Sequence, residues 1–191
     1  MNRLYLIRHA RPAIDPARHH SEWQLDSAGQ ADLDRMAALP CFGSAYLVVS
    51  SSEPKAVKTA VAIIAAHPHL PLACTDDLKE LHKGSFVGAD HDAVMAQLFR
   101  FPGQAVAPGW ETAAEALTRV DAAIRQLIGA AVGRDLIVVS HGTVLSLWLA
   151  QLRGQAQVDP AEWAAIGFPD FCVVDTGTMA VIQPFGGWRR A

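Results

Sequence analysis

Arg8 and His9, Lys55, Glu80 and His141 are residue types that together can handle a phosphate ester. A neutral imidazole is a competent nucleophile at phosphorus when a hydrogen bond fixes its other nitrogen. The phosphomonoester dianion repels any nucleophile unless preorganised donors hold its oxygens. Arg8 can make two-pronged contacts, His141 can donate if protonated, and Lys55 can serve as a point charge. The departing alkoxide needs a proton, which a carboxylic acid such as Glu80 could supply. This chemistry requires no metal and no organic cofactor, and no acidic cluster is present to hold a cation. Each residue alone carries little, since a single histidine after a strand is more often a structural hydrogen-bonder.

The elements around these residues give them common ground. Leu4–Ile7 reads as a short buried strand, followed at once by Arg8-His9. Residues 28–38 are expected to be helical, with Asp26 or Ser27 as N-cap. Ala45–Val49 is a second strand. A helix follows it, with Ser52 as the expected cap, Pro54 near the first turn, Lys55 beside it, and His67-Pro68 at its end. Pro71–Cys74 is a third strand, leading to Glu80, and Leu136–Val139 a fourth, running into Ser140-His141-Gly142. The helix after Gly142, through about Gln151, offers backbone N–H groups and a positive dipole end.

A short helix is expected near 91–99 and a longer one over Thr112–Ala130. Phe171–Val174 and Met179–Ile182 flank a hairpin turn. The alternation predicts an α/β chain: a three-layer α/β/α sandwich around a mostly parallel sheet with an antiparallel edge. Ligands in such sheets gather beyond the carboxyl ends of the strands, where all the residues above fall.

The chain has 191 residues and a net charge of −3, which suits one domain over 1–191. Residues 82–110, richer in Gly, Pro and His, read as a cap or specificity segment within it. With no basic field, neither nucleic acid nor a membrane surface is an expected partner. No segment approaches the roughly 20 apolar residues of a membrane span. Cys41, Cys74 and Cys172 lie far apart, which fits reduced thiols in a cytoplasmic protein better than disulfides or a zinc site. The partner expected is a small phosphorylated substrate, and the apolar terminal hairpin could support a homodimer.

Leu6-Ile7-Arg8-His9-Ala10 resembles the Arg-His-Gly signature of the histidine phosphatase superfamily, the phosphoglycerate mutase-like proteins. Further motifs resemble that family in the same order. They are Leu25 to Ala31, Ser50-Ser51 through Lys55-Ala56 to Thr59-Ala60, and Leu78-Lys79-Glu80 with Gly84 and Gly88. Gly109-Trp110-Glu111-Thr112 and Val138-Val139-Ser140-His141-Gly142 complete the set. The resemblance implies a phosphoglycerate mutase-like fold, His9 as nucleophile, Glu80 as proton donor, and Arg8 with His141 in the phosphate pocket.

Three positions depart from the family pattern. Ala10 replaces the usual Gly, which is mild if its φ is negative and strained if positive. Lys55 stands where a second phosphate-binding arginine is expected, and Asp15 where many relatives carry a phosphate-contacting Asn. Asp15 can instead pair with Arg11 or Arg18. His82, two residues past Glu80, could line the pocket, and Glu111 reads as a structural hydrogen-bonder to the pocket or a cap of the first turn of the helix over 112–130.

The reading is a metal-independent phosphomonoester hydrolase working through phospho-His9. A phosphohistidine-protein phosphatase is an alternative suggested by Arg8-His9-Ala10. A phosphate-binding protein with little turnover is another, suggested by Lys55 and Asp15. A mutase is less favoured, because residues 82–110 offer only Lys83 and Arg100 for a second anionic group.

Overall fold

A computed structural model describes residues 2–84 and 91–190. Six strands form one sheet in the order β3-β2-β4-β1-β5-β6. β1 is Arg3–Arg8, β2 Ala45–Ser51, β3 Leu72–Thr75 and β4 Asp135–Ser140, all parallel. β5, Asp170–Asp175, runs antiparallel to β1, and β6, Ala180–Gln183, antiparallel to β5. β1 and β4 are buried on both faces, as expected of central strands in a layered α/β fold. Leu4 and Leu6, with Leu136 and Val138, face one core; Tyr5 and Ile7, with Ile137 and Val139, face the other.

Helices cover both faces. α1, Gln30–Ala37, and α2, Pro54–Ala66, pack on the Tyr5–Ile7 side. α3, His91–Arg100, α4, Ala113–Ala130, α5, Gly142–Leu152, and α6, Pro160–Ala165, contribute to the opposite side. α4 opens with a full capping box: Thr112 accepts from the Glu115 N–H, and Glu115 reaches back to the Thr112 N–H. Among the described residues no helix is long and apolar enough to cross a membrane.

Two local expectations are corrected. The segment expected to be helical from residue 28 begins as a 3-10 turn, Ser27–Gly29, capped by Asp26, and becomes α-helical only at Gln30. Ser52 does not cap α2. Its hydroxyl goes to Asp76 at the end of β3, and Glu53 takes the N-cap position with Pro54 in the first turn. α6 had no counterpart in the expected elements, although Asp159-Pro160 is a good start signal: Asp159 accepts from the Ala161 N–H. Gly88 and the part of segment 82–110 that spans 85–90 lie outside the described residues.

Candidate active site

β1 and β4 end side by side, with Arg8 paired to Ser140 in register and the His9 N–H donating to the Ser140 carbonyl at 3.1 Å. This brings His9 and His141 together, their rings 5.0 Å apart. The His9–Ala10 peptide is held from α2, where Thr59 Oγ1 accepts from the Ala10 N–H at 2.9 Å. Ala10 is buried and keeps an ordinary φ: among the described residues the non-glycine with positive φ is Met179.

His9 Nδ1 lies 2.7 Å from the Ala10 carbonyl and can only donate to it, which leaves Nε2 with its lone pair. Burial, then Lys55 and Arg8, hold the ring well below the ordinary histidine pKa, so it is neutral. His141 is also held well below that range, by burial first and then by His9 and neighbouring cations. Its Nε2 sits 2.8 Å from Ser51 Oγ, which already accepts from the Glu53 N–H at 3.3 Å. His141 Nδ1 is buried and has no hydrogen-bond partner among the described residues. Burial keeps the ring neutral, whereas the sequence-based expectation is a His141 that donates if protonated.

Arg8 is half committed. Nη1 donates to the Ile166 carbonyl and the guanidinium stacks 3.5 Å from the Phe168 ring centroid, while buried Nε has no hydrogen-bond partner among the described residues. Burial pulls its pKa down to about 10, against Glu80 and Asp170, and it remains charged near neutrality. Asp170 folds the loop that supplies these partners, accepting from the Gly167, Phe171 and Gly186 N–H groups at 2.8 to 3.0 Å.

Glu80 is reached from three sides. Its Oε1 accepts from the Leu81 and Val144 amides at 2.9 and 3.3 Å, and Oε2 from Thr143 at 3.2 Å. The first amides of α5 after Gly142 therefore serve Glu80. Gly142 itself packs against Arg8: a Cβ there would lie 2.9 Å from Arg8 Nε. The turn carrying Glu80 is clamped by Arg119 of α4, which donates to the Asp77 and Lys79 carbonyls at 2.9 and 3.0 Å and pairs with Glu111. Glu111 also accepts from the His82 N–H at 3.0 Å, the structural role expected of it.

Lys55 is buried, but its ammonium is taken. Nζ donates to the His20 carbonyl at 2.7 Å and forms a buried ion pair with Glu53. The other oxygen of Glu53 accepts from the Glu80 N–H at 3.0 Å, and Oε2 lies 3.8 Å from His141 Nε2. Glu53 was not anticipated from sequence. Its only signal was a carboxylate two residues before Lys55, where an extended N-cap turns both side chains inward.

Arg8, His9, Lys55, Glu80 and Thr143 line a cavity of about 1060 Å³, and neither His141 nor Gly142 is among its lining residues. Asp15 and His82 are not among its lining residues. Asp15 pairs with Arg18 at 3.3 Å and accepts from the Ala17 N–H, while the His82 ring lies 5.4 Å from that of His19. Lys83, Trp110 and Trp163 do line the cavity. Among the described residues no group of three or more His, Cys, Asp or Glu side chains could hold a metal ion.

The family model for the histidine phosphatase superfamily (branch 1) matches residues 4–175. Among curated proteins nothing matches. Solved structures with the same fold include a mycobacterial glucosyl-3-phosphoglycerate phosphatase with VO3, at TM-score 0.75 and 19% identity over 98% of this chain and 99% of that one. A phosphoserine phosphatase mutant from Entamoeba histolytica superposes at TM-score 0.74 and 15% identity, covering 97% and 96%. An Escherichia coli protein described as an alpha-ribazole-5'-P phosphatase gives TM-score 0.72 and 20% identity, covering 97% and 96%.

Proposed function

We propose that this chain, which belongs to the histidine phosphatase superfamily, hydrolyses small phosphate monoesters through a phosphohistidine on His9. The observation that carries the reading is the state of His9: a neutral ring with Nδ1–H fixed on the Ala10 carbonyl and Nε2 left as the nucleophile, in a cavity shared with Arg8 and Glu80.

In the first step Nε2 attacks phosphorus, and the bond to the ester oxygen breaks with its electron pair. Protonated Glu80 gives that oxygen its proton, releasing the alcohol and leaving a carboxylate. Oε2 is the better oxygen to carry the proton, because it accepts one amide against two on Oε1. In the second step water attacks phospho-His9, Glu80 recovers a proton from it, and phosphate departs. Arg8, which lines the cavity with a charged guanidinium, is the donor for the phosphoryl oxygens, with buried His141 packed against the His9 ring at 5.0 Å. Proteins of the same fold include phosphatases for phosphoserine and glucosyl-3-phosphoglycerate, which agrees with a monoester substrate. The scattered free cysteines fit a cytoplasmic setting.

The test is hydrolysis of p-nitrophenyl phosphate by the unaltered protein and by His9→Ala. Turnover that falls roughly a thousandfold or more in the variant is expected, since the nucleophile is lost. Equal rates would remove His9 from the mechanism. A second reading, phosphate binding with little turnover, is favoured by the Glu53 ion pair that occupies Lys55. It predicts a stable, acid-labile phosphoryl group on His9 without sustained release of nitrophenol.

A further inference from the structure

α6 separates two cavities. Trp163 and Ala165 line the catalytic cavity and also a smaller one, of about 270 Å³, between α5, α6 and the chain after β6. Leu149 and Ala150 of α5, with Val158, Trp163 and Ile166, give the smaller cavity an apolar lining, each at most 9% exposed. A void of about 150 Å³ with such a lining takes up a benzene-sized guest, so this one has room for an aryl ring and a short chain. Arg153, Asp159 and Glu162 also line it, and their exposure marks its mouth.

Two polar groups of this cavity keep donors to spare. Ser146 of α5 is buried, lines the cavity and makes no side-chain hydrogen bond among the described residues. Its Oγ, unlike the partnerless Trp163 Nε1, is not sealed from solvent, so the hydroxyl opens into the cavity it lines. Arg153 uses one corner of its guanidinium. Nη1 donates to Glu162 at 3.1 Å, and Nε and Nη2 have no partner among the described residues. Glu162 is largely exposed, and a surface pair of this kind holds the arginine only weakly. Asp159 is already committed, capping α6 through the Ala161 N–H. The mouth therefore offers a guanidinium fork, the geometry that suits a carboxylate. Ser146 and Arg153 lie seven residues apart on α5, on one face and roughly 10 Å apart along the axis.

The same wall reaches the phosphate donor. Ile166, directly after α6, lines the smaller cavity, and its carbonyl accepts from Arg8 Nη1. α6 has only six residues, and open apolar space beside so short a helix leaves it room to shift. We propose that this cavity is an effector site for a small aryl carboxylic acid with a polar group at the far end of its ring. The carboxylate sits on Arg153, the ring on the apolar lining, and the far polar group on Ser146. The bound acid fills the space beside Ile166 and steadies the carbonyl that positions Arg8, so acid and phosphate each strengthen the binding of the other. The proposal rests on the phosphatase reading only in taking Arg8 as the phosphate donor.

Calorimetry on the full chain tests this with three probes: 3-(4-hydroxyphenyl)propanoate, its amide, and 3-phenylpropanoate. The hydroxylated acid is expected to bind roughly tenfold more tightly than its amide, the range of a charge-assisted hydrogen bond, and a few-fold more tightly than 3-phenylpropanoate. Arg153→Met should erase the preference for acid over amide. Ser146→Ala should erase the preference for the hydroxyl, and it carries the test if Arg153→Met does not fold. With the acid saturating, inorganic phosphate should bind about fivefold more tightly, and the acid should gain by the same factor when phosphate saturates. Competition between acid and phosphate would put the acid in the catalytic cavity and overturn the proposal. So would binding that ignores both variants, or a phosphate affinity that the acid leaves unchanged. Turnover of p-nitrophenyl phosphate without any acid tests the phosphatase reading separately.

Discussion

At the scale of the residue, the ion pair between Glu53 and Lys55 decides what the buried ammonium is free to do. Both side chains are buried, so each charge is tolerable only because of the other. Lys55→Met leaves Glu53 ionised and unpaired, and should destabilise the fold by about 3 kcal/mol or more, read as a lower urea midpoint. The double variant Glu53→Gln, Lys55→Met should recover much of that loss. If the single and double variants melt alike, the pair is not the reason Lys55 is retained. Arg8, His9, Glu80 and His141 were legible in sequence because their types and their places after strands agree. Glu53 and Asp170 were not. Their roles depend on which way a side chain turns at an N-cap and on amides gathered from Gly167 to Gly186.

At the scale of the element, α5 does most of its work in its first turn. Thr143 and Val144 hold Glu80, and Gly142 gives way to Arg8. Gly142→Ala places a methyl 2.9 Å from Arg8 Nε, whose guanidinium is already fixed by the Ile166 carbonyl and the Phe168 ring. The variant should lose activity on p-nitrophenyl phosphate roughly tenfold or more, since one mispositioned donor costs at least that much. Its urea midpoint should fall as well, because a methyl forced against a fixed, buried guanidinium is overpacked. Unchanged kcat/KM would mean that Arg8 moves aside freely.

Strand and helix positions were largely readable from apolar runs and caps, with errors of a residue or two at the ends. The loop between α6 and β5 was not, for a physical reason. Residues 166–170 are organised by Asp170 and by Arg8, which lies at the other end of the sequence, and no local pattern encodes that pairing.

At the scale of the whole molecule, burial of histidine makes stability depend on pH in a definite direction. His9 and His141 are held well below their ordinary range, and His20 is pulled down to about 3, by burial first and then by Lys83. The unfolded chain protonates the same rings near pH 6.5. Below that pH the unfolded state binds more protons than the folded one, so stability is full above it and falls as the pH drops. The slope is about 1.4 kcal/mol per pH unit for each proton taken up on unfolding. Melting temperatures should therefore be level above about pH 7 and lower at about pH 5; a profile that stays level to pH 5 would mean that the rings charge in place.

The placement of β1 has a consequence for biosynthesis. β1 lies between β4 and β5, so the strand that ends beside His9 is made well before either of its neighbours. While the ribosome is still producing the middle of the chain, Leu4–Ile7 has neither neighbour to pair with, and Arg8 has no Ile166 carbonyl to meet. The Arg8 contact is thus postponed until β5 emerges, and until then one edge of an apolar strand stays open to chaperones.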